Sequence, residues 1–387
     1  MKKSHFFPKK GYNVTMNRQI KFNDLARMHK RNFKDFKKAF NMQLEKNDFI
    51  LGASVIDFEL KFANYVKSKY AIGVANGSDA IRLALLARGI APGDKVALAA
   101  NTYFAAAAAI VHVGATPVFF DVNTENRFPT TKNFEEIIDS NPRLIIRSHL
   151  FGFADIEQLP SELSDVKQLI DCAQAHGTEI DGVPVGGNEM STFSFYPGKN
   201  LGAFGDGGAI TMNDEKDLLI LKKLRNQGTD LDKYSHEIVG FNSRLDTLQA
   251  KILEIKLANL NNQNDERRRI ARKYDELLQD LDHRLSIFFP TSNLKSSYHL
   301  YQIRVSNIDI EDLILFLKKA GIESGRHYPK PLHLQTAFQS LGYLRGQFPG
   351  AEKLAKETIS LPMHPNLSDS DVEYVVEQIK KFLKSNE

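Results

Sequence analysis

Ser194-Phe-Tyr-Pro-Gly-Lys199-Asn-Leu-Gly-Ala-Phe-Gly-Asp-Gly-Gly208 decides how this 387-residue chain is read. It begins inside a strand, Thr192–Tyr196, that Pro197-Gly198 must break, because proline removes a ladder donor and glycine favours turns. One lysine follows, then a glycine-dense turn, then a second strand at Gly208–Met212. A lysine on a tight, glycine-lined turn suits an amine that must reach a bound aldehyde. Burial lowers the lysine's pKa and makes it nucleophilic enough for Schiff-base chemistry. A surface turn with an incidental lysine explains this stretch alone equally well.

Working outward, Ala71-Ile-Gly-Val-Ala-Asn-Gly-Ser78 reads as a short strand running into a Gly-Ser turn, and Asp79–Ala87 as a helix with a buried face. Gly77 and Ser78 then sit at a helix N-terminus, where free N–H groups and the helix dipole favour a phosphate. The plain alternative is that Ser78 only caps the helix. Strands are expected at Lys95–Ala99, Thr116–Val122, Leu144–Ser148 and Val166–Asp171, with helices at Tyr103–Val113 and Asn133–Asp139 between them. This βαβα rhythm predicts a largely parallel sheet with helices on both faces. Ligands of such sheets bind beyond the carboxyl ends of the strands, where Gly77-Ser78, His149, Asp171 and the turn after Tyr196 converge.

The flanks are less regular. Residues 1–19 form a polar arm, expected to be loosely ordered. A basic amphipathic helix is expected over Phe22–Leu44 and another over Asp57–Lys69. A long charged helical stretch runs from Asp246 to about Leu281. Beyond it a smaller region should contain a strand at Tyr298–Val305, a helix at Asp309–Ala320, a strand near Gly321–Tyr328, and helices near Ala351–Thr358 and Asp369–Leu383. The resulting division is an arm (1–19), a large domain (20–245), a linking helical region (246–285) and a small C-terminal α+β domain (286–387).

Composition narrows the classes. A net charge of +4 is small for this length and points to no nucleic-acid partner. Cys172 is the only cysteine, so neither an intramolecular disulfide nor a cysteine-built metal site is available, which suits a cytoplasmic setting. The N-terminal residues are basic without a sustained apolar core, unlike a signal peptide. Val96–Phe120 lacks Asp, Glu, Lys and Arg, but it contains Asn101, Thr102, His112, Gly114 and Pro117. It is read as strand, helix and strand, not as a membrane span.

Asp171 ends the apolar run Leu169-Ile170, and a buried carboxylate needs a partner. A protonated pyridine nitrogen would serve, turning the ring into an electron sink. A salt bridge or a helix cap would serve too. Taken together, Asn76-Gly-Ser-Asp79, Ala100-Asn-Thr-Tyr103, Asp171-Cys-Ala-Gln-Ala-His-Gly177, Ser194–Gly202, Gly205-Asp-Gly-Gly208 and Gly240-Phe-Asn-Ser-Arg-Leu-Asp246 resemble the sugar aminotransferases of the DegT/DnrJ/EryC1/StrS family. His327-Tyr-Pro329, Pro331-Leu-His333 and Ser360-Leu-Pro-Met363 resemble its C-terminal pattern. The matches run in order over roughly residues 48–383.

The resemblance implies an aspartate-aminotransferase-like fold (fold type I of the pyridoxal-phosphate enzymes) and a homodimer with shared active sites. The cofactor it implies is pyridoxal 5′-phosphate, alternating with pyridoxamine 5′-phosphate. It implies that Lys199 holds the cofactor as a Schiff base, Asp171 pairs with the pyridine nitrogen, Gln174 lies near the ring hydroxyl, and Tyr103 stacks on the ring. Gly77, Ser78 and Ser194 would bind the phosphate, with Asn242 reaching it from the other subunit. His327, Tyr328, His333 and Arg244 become candidates for the substrate side, and His176 reads as structural. The implied reaction moves an amino group from an amino acid, glutamate for choice, to a nucleoside-diphosphate-linked keto sugar, at position 3 or 4 of a deoxy hexose on dTDP or UDP. Dehydratases of the family have a histidine where Lys199 stands, which argues against that activity. A regulatory, non-catalytic member would have no need of the set Asp171, Gln174, Ser194 and Lys199.

Overall fold

The computed structural model describes residues 18–229 and 234–385. A seven-stranded sheet dominates. Its spatial order is Tyr70–Val74, Gly208–Met212, Ser191–Ser194, Lys167–Asp171, Leu144–Ser148, Lys95–Ala99 and Thr116–Phe120. The last five strands are mutually parallel, and Gly208–Met212 runs antiparallel to both of its neighbours. Apolar runs such as Leu144-Ile145-Ile146 suit this placement, because a strand covered on both faces has no polar side. Successive side chains point to opposite faces. Leu144 and Ile146 enter the core under the Gly77–Ala87 and Phe104–His112 helices, while Ile145 joins Ala97, Phe120 and Phe134 on the other side.

The strands and helices expected between residues 70 and 120 are present, so Val96–Phe120 is strand, helix and strand. No helix among the described residues is long and apolar enough to cross a membrane. The expected 133–139 helix is replaced by a helical turn at Thr131–Glu135 and a 3₁₀ turn at Ile138–Ser140. The Phe22–Leu44 helix is broken at Asn32 into Leu25–Lys30 and Phe33–Lys46. The helix expected from Asp57 starts earlier, at Ala53. The 246–281 stretch is also two helices, Thr247–Leu257 and Leu260–Leu278. The first packs on Ala53–Val66 and the second on the C-terminal helix Asp369–Lys384, so the break at Ala258-Asn259 lets each find its own partner.

A second, antiparallel sheet is built from Leu285–Ile287, Tyr301–Val305 and Thr358–Leu361. The strand expected at Gly321–Tyr328 does not form; only isolated bridges occur there, Ile322 to Ile20 and Gly325 to Ser360. Its place is taken by Thr358-Ile-Ser-Leu361, which the helical reading of Ala351–Thr358 had reached into. That helix stops at Glu357, and the chain turns extended where Ile359 and Leu361 can enter the core. Most of the expected arm, residues 1–17, lies outside the described residues. Arg18 is anchored, with its guanidinium 2.7 Å from Asp371.

Candidate active site

The carboxyl ends of the parallel strands open onto a cavity of about 760 Å³. Nine of the residues singled out in the sequence line it: Gly77, Ser78, Tyr103, Asp171, Gln174, Ser194, Lys199, His327 and Tyr328. Each position follows from local structure. Asp171 is the last residue of its strand and is buried, and its carboxylate accepts the Ala173 N–H at 3.0 Å. Lys199 lies on the turn after Pro197. The turn is closed by the Lys199 N–H on the Tyr196 carbonyl and the Ala203 N–H on the Phe195 carbonyl. Burial pushes the Asp171 carboxyl up and lowers the Lys199 ammonium to about 8, each partly offset by the other's charge.

The helix Gly77–Ala87 is capped by Asn76, whose side chain accepts the Asp79 N–H at 2.8 Å. Ser78 is therefore not the cap. Gly77 has a steric reason: a β-carbon there would stand 2.6 Å from Ser194 Cβ, so only glycine lets the helix start approach the Ser194 strand. Tyr103 precedes the Phe104–His112 helix, is half exposed, and lies 5.4 Å from the Tyr328 ring.

Gln174 holds the opposite wall together. Its carbonyl accepts the Phe151 N–H at 2.8 Å and its amide donates to the Tyr328 hydroxyl at 2.6 Å. His327 is bonded through Nδ1 to Ser360 Oγ at 2.9 Å and stacks on Phe22. Burial lowers its imidazole to about 4, so it is neutral at physiological pH. His176 is buried, with its ring against Phe193 and Phe195.

Three expected residues are elsewhere. His333 faces inward, with Nε2 3.0 Å from Glu352 Oε1 and its ring edge-on to Phe348, so it does not reach the cavity. The 3₁₀ turn Leu332–Leu334 swings it away from the neighbouring His327-Tyr328. Asn242 is exposed, and Arg244 donates to Asn226 Oδ1 at 3.1 Å; neither lines the cavity of its own chain.

Other lining residues carried no functional reading. Phe22 and Asn23 arrive from the N-terminal segment, and the Asn23 amide donates to the Gly198 carbonyl beside Lys199. Leu300 and Met363 come from the C-terminal sheet region. His149 follows the end of the Leu144–Ser148 strand and lines the cavity. Its Nδ1 accepts the Asp155 N–H at 3.2 Å, and burial holds the ring neutral, at about 3.

Comparison with known proteins places the chain in a family. The model of the DegT/DnrJ/EryC1/StrS aminotransferase family matches residues 31–380. The dTDP-3-amino-3,6-dideoxy-alpha-D-galactopyranose transaminase of Aneurinibacillus thermoaerophilus is 42% identical over 371 residues, covering 94% of this chain and 99% of that protein. A pleiotropic regulatory protein of Geobacillus stearothermophilus is 38% identical over 368 residues, covering 93% and 98%. Among solved structures, DesV of Streptomyces venezuelae, in complex with a ketimine intermediate, superposes with a TM-score of 0.90 at 34% identity, covering 94% of this chain and 98% of that one. The chain belongs to the DegT/DnrJ/EryC1/StrS aminotransferase family.

Proposed function

We propose that this protein uses pyridoxal 5′-phosphate to transfer an amino group from L-glutamate to the 3-keto group of a dTDP-linked 6-deoxyhexose in the cytoplasm. The observation that carries the reading is the pairing of Lys199 with Asp171 in one cavity. A half-buried amine and a buried carboxyl face it from neighbouring strand ends, above a helix N-terminus. The 42% identical dTDP-sugar transaminase supports the choice of substrate and carbon.

The residues present fit the cofactor. Asp171 has a carboxylate pushed up by burial, with a single backbone N–H as hydrogen-bond partner among the described residues, and a ring N–H⁺ would satisfy it. Gly77, Ser78 and Ser194 form a close-packed cradle at the start of the Gly77–Ala87 helix, suited to a phosphate. Tyr103 offers a half-exposed ring face. When bound, the cofactor supplies an aldehyde that receives the amino group and a ring that draws electrons from the reacting carbon.

This chain's own residues do the rest. Asp171 keeps the ring nitrogen protonated. The Lys199 amine, lowered to about 8, is near enough to neutral to take the proton from the α-carbon of the donor and later deliver one to the sugar carbon being aminated. The neutral imidazole of His327 and the Tyr328 phenol face the substrate from the opposite wall. We assign cofactor binding to residues 20–245, the link to 246–285 and the substrate wall to 286–387. Exposed Phe33, Phe40, Ile56 and Leu60 support a homodimer in which Asn242 and Arg244 serve the partner's cavity.

The test is incubation with glutamate and a panel of 3-keto and 4-keto sugar nucleotides on dTDP and UDP, with NMR of the products. The expected product is a 3-amino dTDP sugar. Consumption of none of the panel would overturn the reading and favour a regulatory role like that named for the Geobacillus relative.

A further inference from the structure

Arg127 is 2% exposed, yet no carboxylate pairs with it among the described residues. Its guanidinium lies over three aromatic rings, Phe288 at 4.0 Å, Phe153 at 4.5 Å and Phe151 at 5.0 Å. Burying such a cation without an acid is unfavourable, and the ring faces offset it only in part. The side chain therefore needs a reason to be there, and its hydrogen bonds point to one.

The backbone carbonyl of Arg127 accepts from Asn101 Nδ2 at 2.9 Å, two residues before Tyr103. Its Nη1 donates to Gln302 Oε1 at 3.0 Å. Gln302 is also buried, and its amide donates onward to the His327 carbonyl at 3.1 Å and towards Ser360 Oγ, which bonds the His327 imidazole. One residue thus ties the segment that ends in Tyr103 to the segment that presents His327 and Tyr328, and the Tyr328 ring, 5.4 Å from that of Tyr103, closes the circuit across the cavity. A small pocket lined by Arg127, Gln302, His327 and Tyr328 lies directly behind that wall.

We propose that Arg127 is a positioning residue for the substrate wall: through Gln302 it fixes where His327 and Tyr328 stand relative to Tyr103, and so sets the fit of the sugar without touching it. This rests on the aminotransferase reading above. It predicts a division between the two halves of the reaction, because Lys199 and Asp171 belong to the other wall. The donor half needs those two groups. The sugar half also needs the wall that Arg127 holds.

The test uses the cofactor-loaded protein with Arg127→Met, which keeps the length and packing but has no donor. Glutamate-driven conversion of the bound cofactor, followed by absorbance, should stay within about twofold of wild type. KM for the keto sugar nucleotide should rise about tenfold, the equivalent of one lost hydrogen bond to a charged group. Hydrogen exchange over residues 325–332 should rise by a similar factor. Arg127→Lys, which restores a cation and a donor, should recover part of the KM. Phe288→Leu thins the ring cage without touching the relay, so it should lower Tm and leave KM unchanged. Should Arg127→Met fail to fold, Gln302→Met interrupts the same relay. Equal losses in both half-reactions, an unchanged KM, or a KM rise in Phe288→Leu matching that of Arg127→Met would overturn the proposal. If wild type aminates no sugar nucleotide, the function reading falls, while the hydrogen-exchange result still decides whether Arg127 holds the wall.

Discussion

The two walls of the cavity are built in different ways. One wall is the edge of the seven-stranded sheet: Asp171, Ser194 and the Lys199 turn stand at strand ends, and Gly77-Ser78 at a helix start, all within one layer of backbone hydrogen bonds. The other wall, with Phe22, Leu300, His327, Tyr328 and Met363, is gathered from four distant stretches of chain. Side-chain bonds over long sequence separations hold it, such as Gln174 to Tyr328 and Gln302 to His327. A wall made of strand ends places a proton-transfer group rigidly, as pre-organised chemistry requires. A wall made of side-chain relays can be retuned for a different sugar by changing a few residues while the chemistry stays put.

The comparison is broken most severely at Lys199. Lys199→Ala should reduce transamination by a factor on the order of 10⁴, with both half-reactions lost together. A variant that keeps near-normal rates in steady-state assays would contradict the division between the walls. Next comes Asp171→Asn, with activity down by about 10² and a tighter-folded cofactor-free protein. The sign follows from the raised carboxyl. The folded state holds that proton more tightly than the unfolded chain, so stability is lost as pH rises from the ordinary carboxylate range through the folded pKa. Asparagine never ionises, so Tm at neutral pH should rise by a few degrees, read by calorimetry without cofactor. A fall in Tm would mean that the charge is already compensated.

The same pair gives a pH prediction. In the cofactor-free protein, Lys199 should react with an acylating reagent with a midpoint near pH 8, by quantitative mass spectrometry. Since the Asp171 charge raises that value, Asp171→Asn should move the midpoint lower. Tyr328→Phe sharpens the contrast from the other side. Losing the hydroxyl that accepts from Gln174 removes about 1 kcal/mol, so the sugar KM should rise by about fivefold with little change in the donor half-reaction. The smallest effect is expected from Asn76→Ala, which removes the helix cap and about 1 kcal/mol of stability by denaturant titration, with only a modest loss of cofactor affinity.

Legibility in the sequence follows the same divide. Strand ends are local events, and the apolar runs before Ser148 and Asp171 and the break at Pro197-Gly198 announce them. Lys199, Asp171 and Gly77 are therefore brought together by the sequence pattern, and the family resemblance adds Ser194. The second wall depends on tertiary contacts. The spacing within His327-Tyr-Pro-Lys-Pro-Leu-His333 does not show that the first histidine faces the cavity while the last packs on Glu352. Arg127 looks like an ordinary loop cation until the fold encloses it among three rings. Gly321–Tyr328 is extended enough to suggest a strand, but Thr358–Leu361 takes the sheet position, a competition that pattern alone does not decide. The breaks within 22–44 and 246–281 carry neither proline nor glycine, so nothing local in the sequence marks them.

The most direct test is chemical trapping. The protein is saturated with pyridoxal 5′-phosphate, treated with borohydride, digested and mapped by mass spectrometry, with Asp171→Asn in parallel. A reduced adduct confined to the peptide carrying Lys199, together with the loss of the coloured species, is the predicted result. An adduct on another lysine, or none at all from a protein that shows no colour, would contradict the placement of Lys199 and Asp171 around one ring.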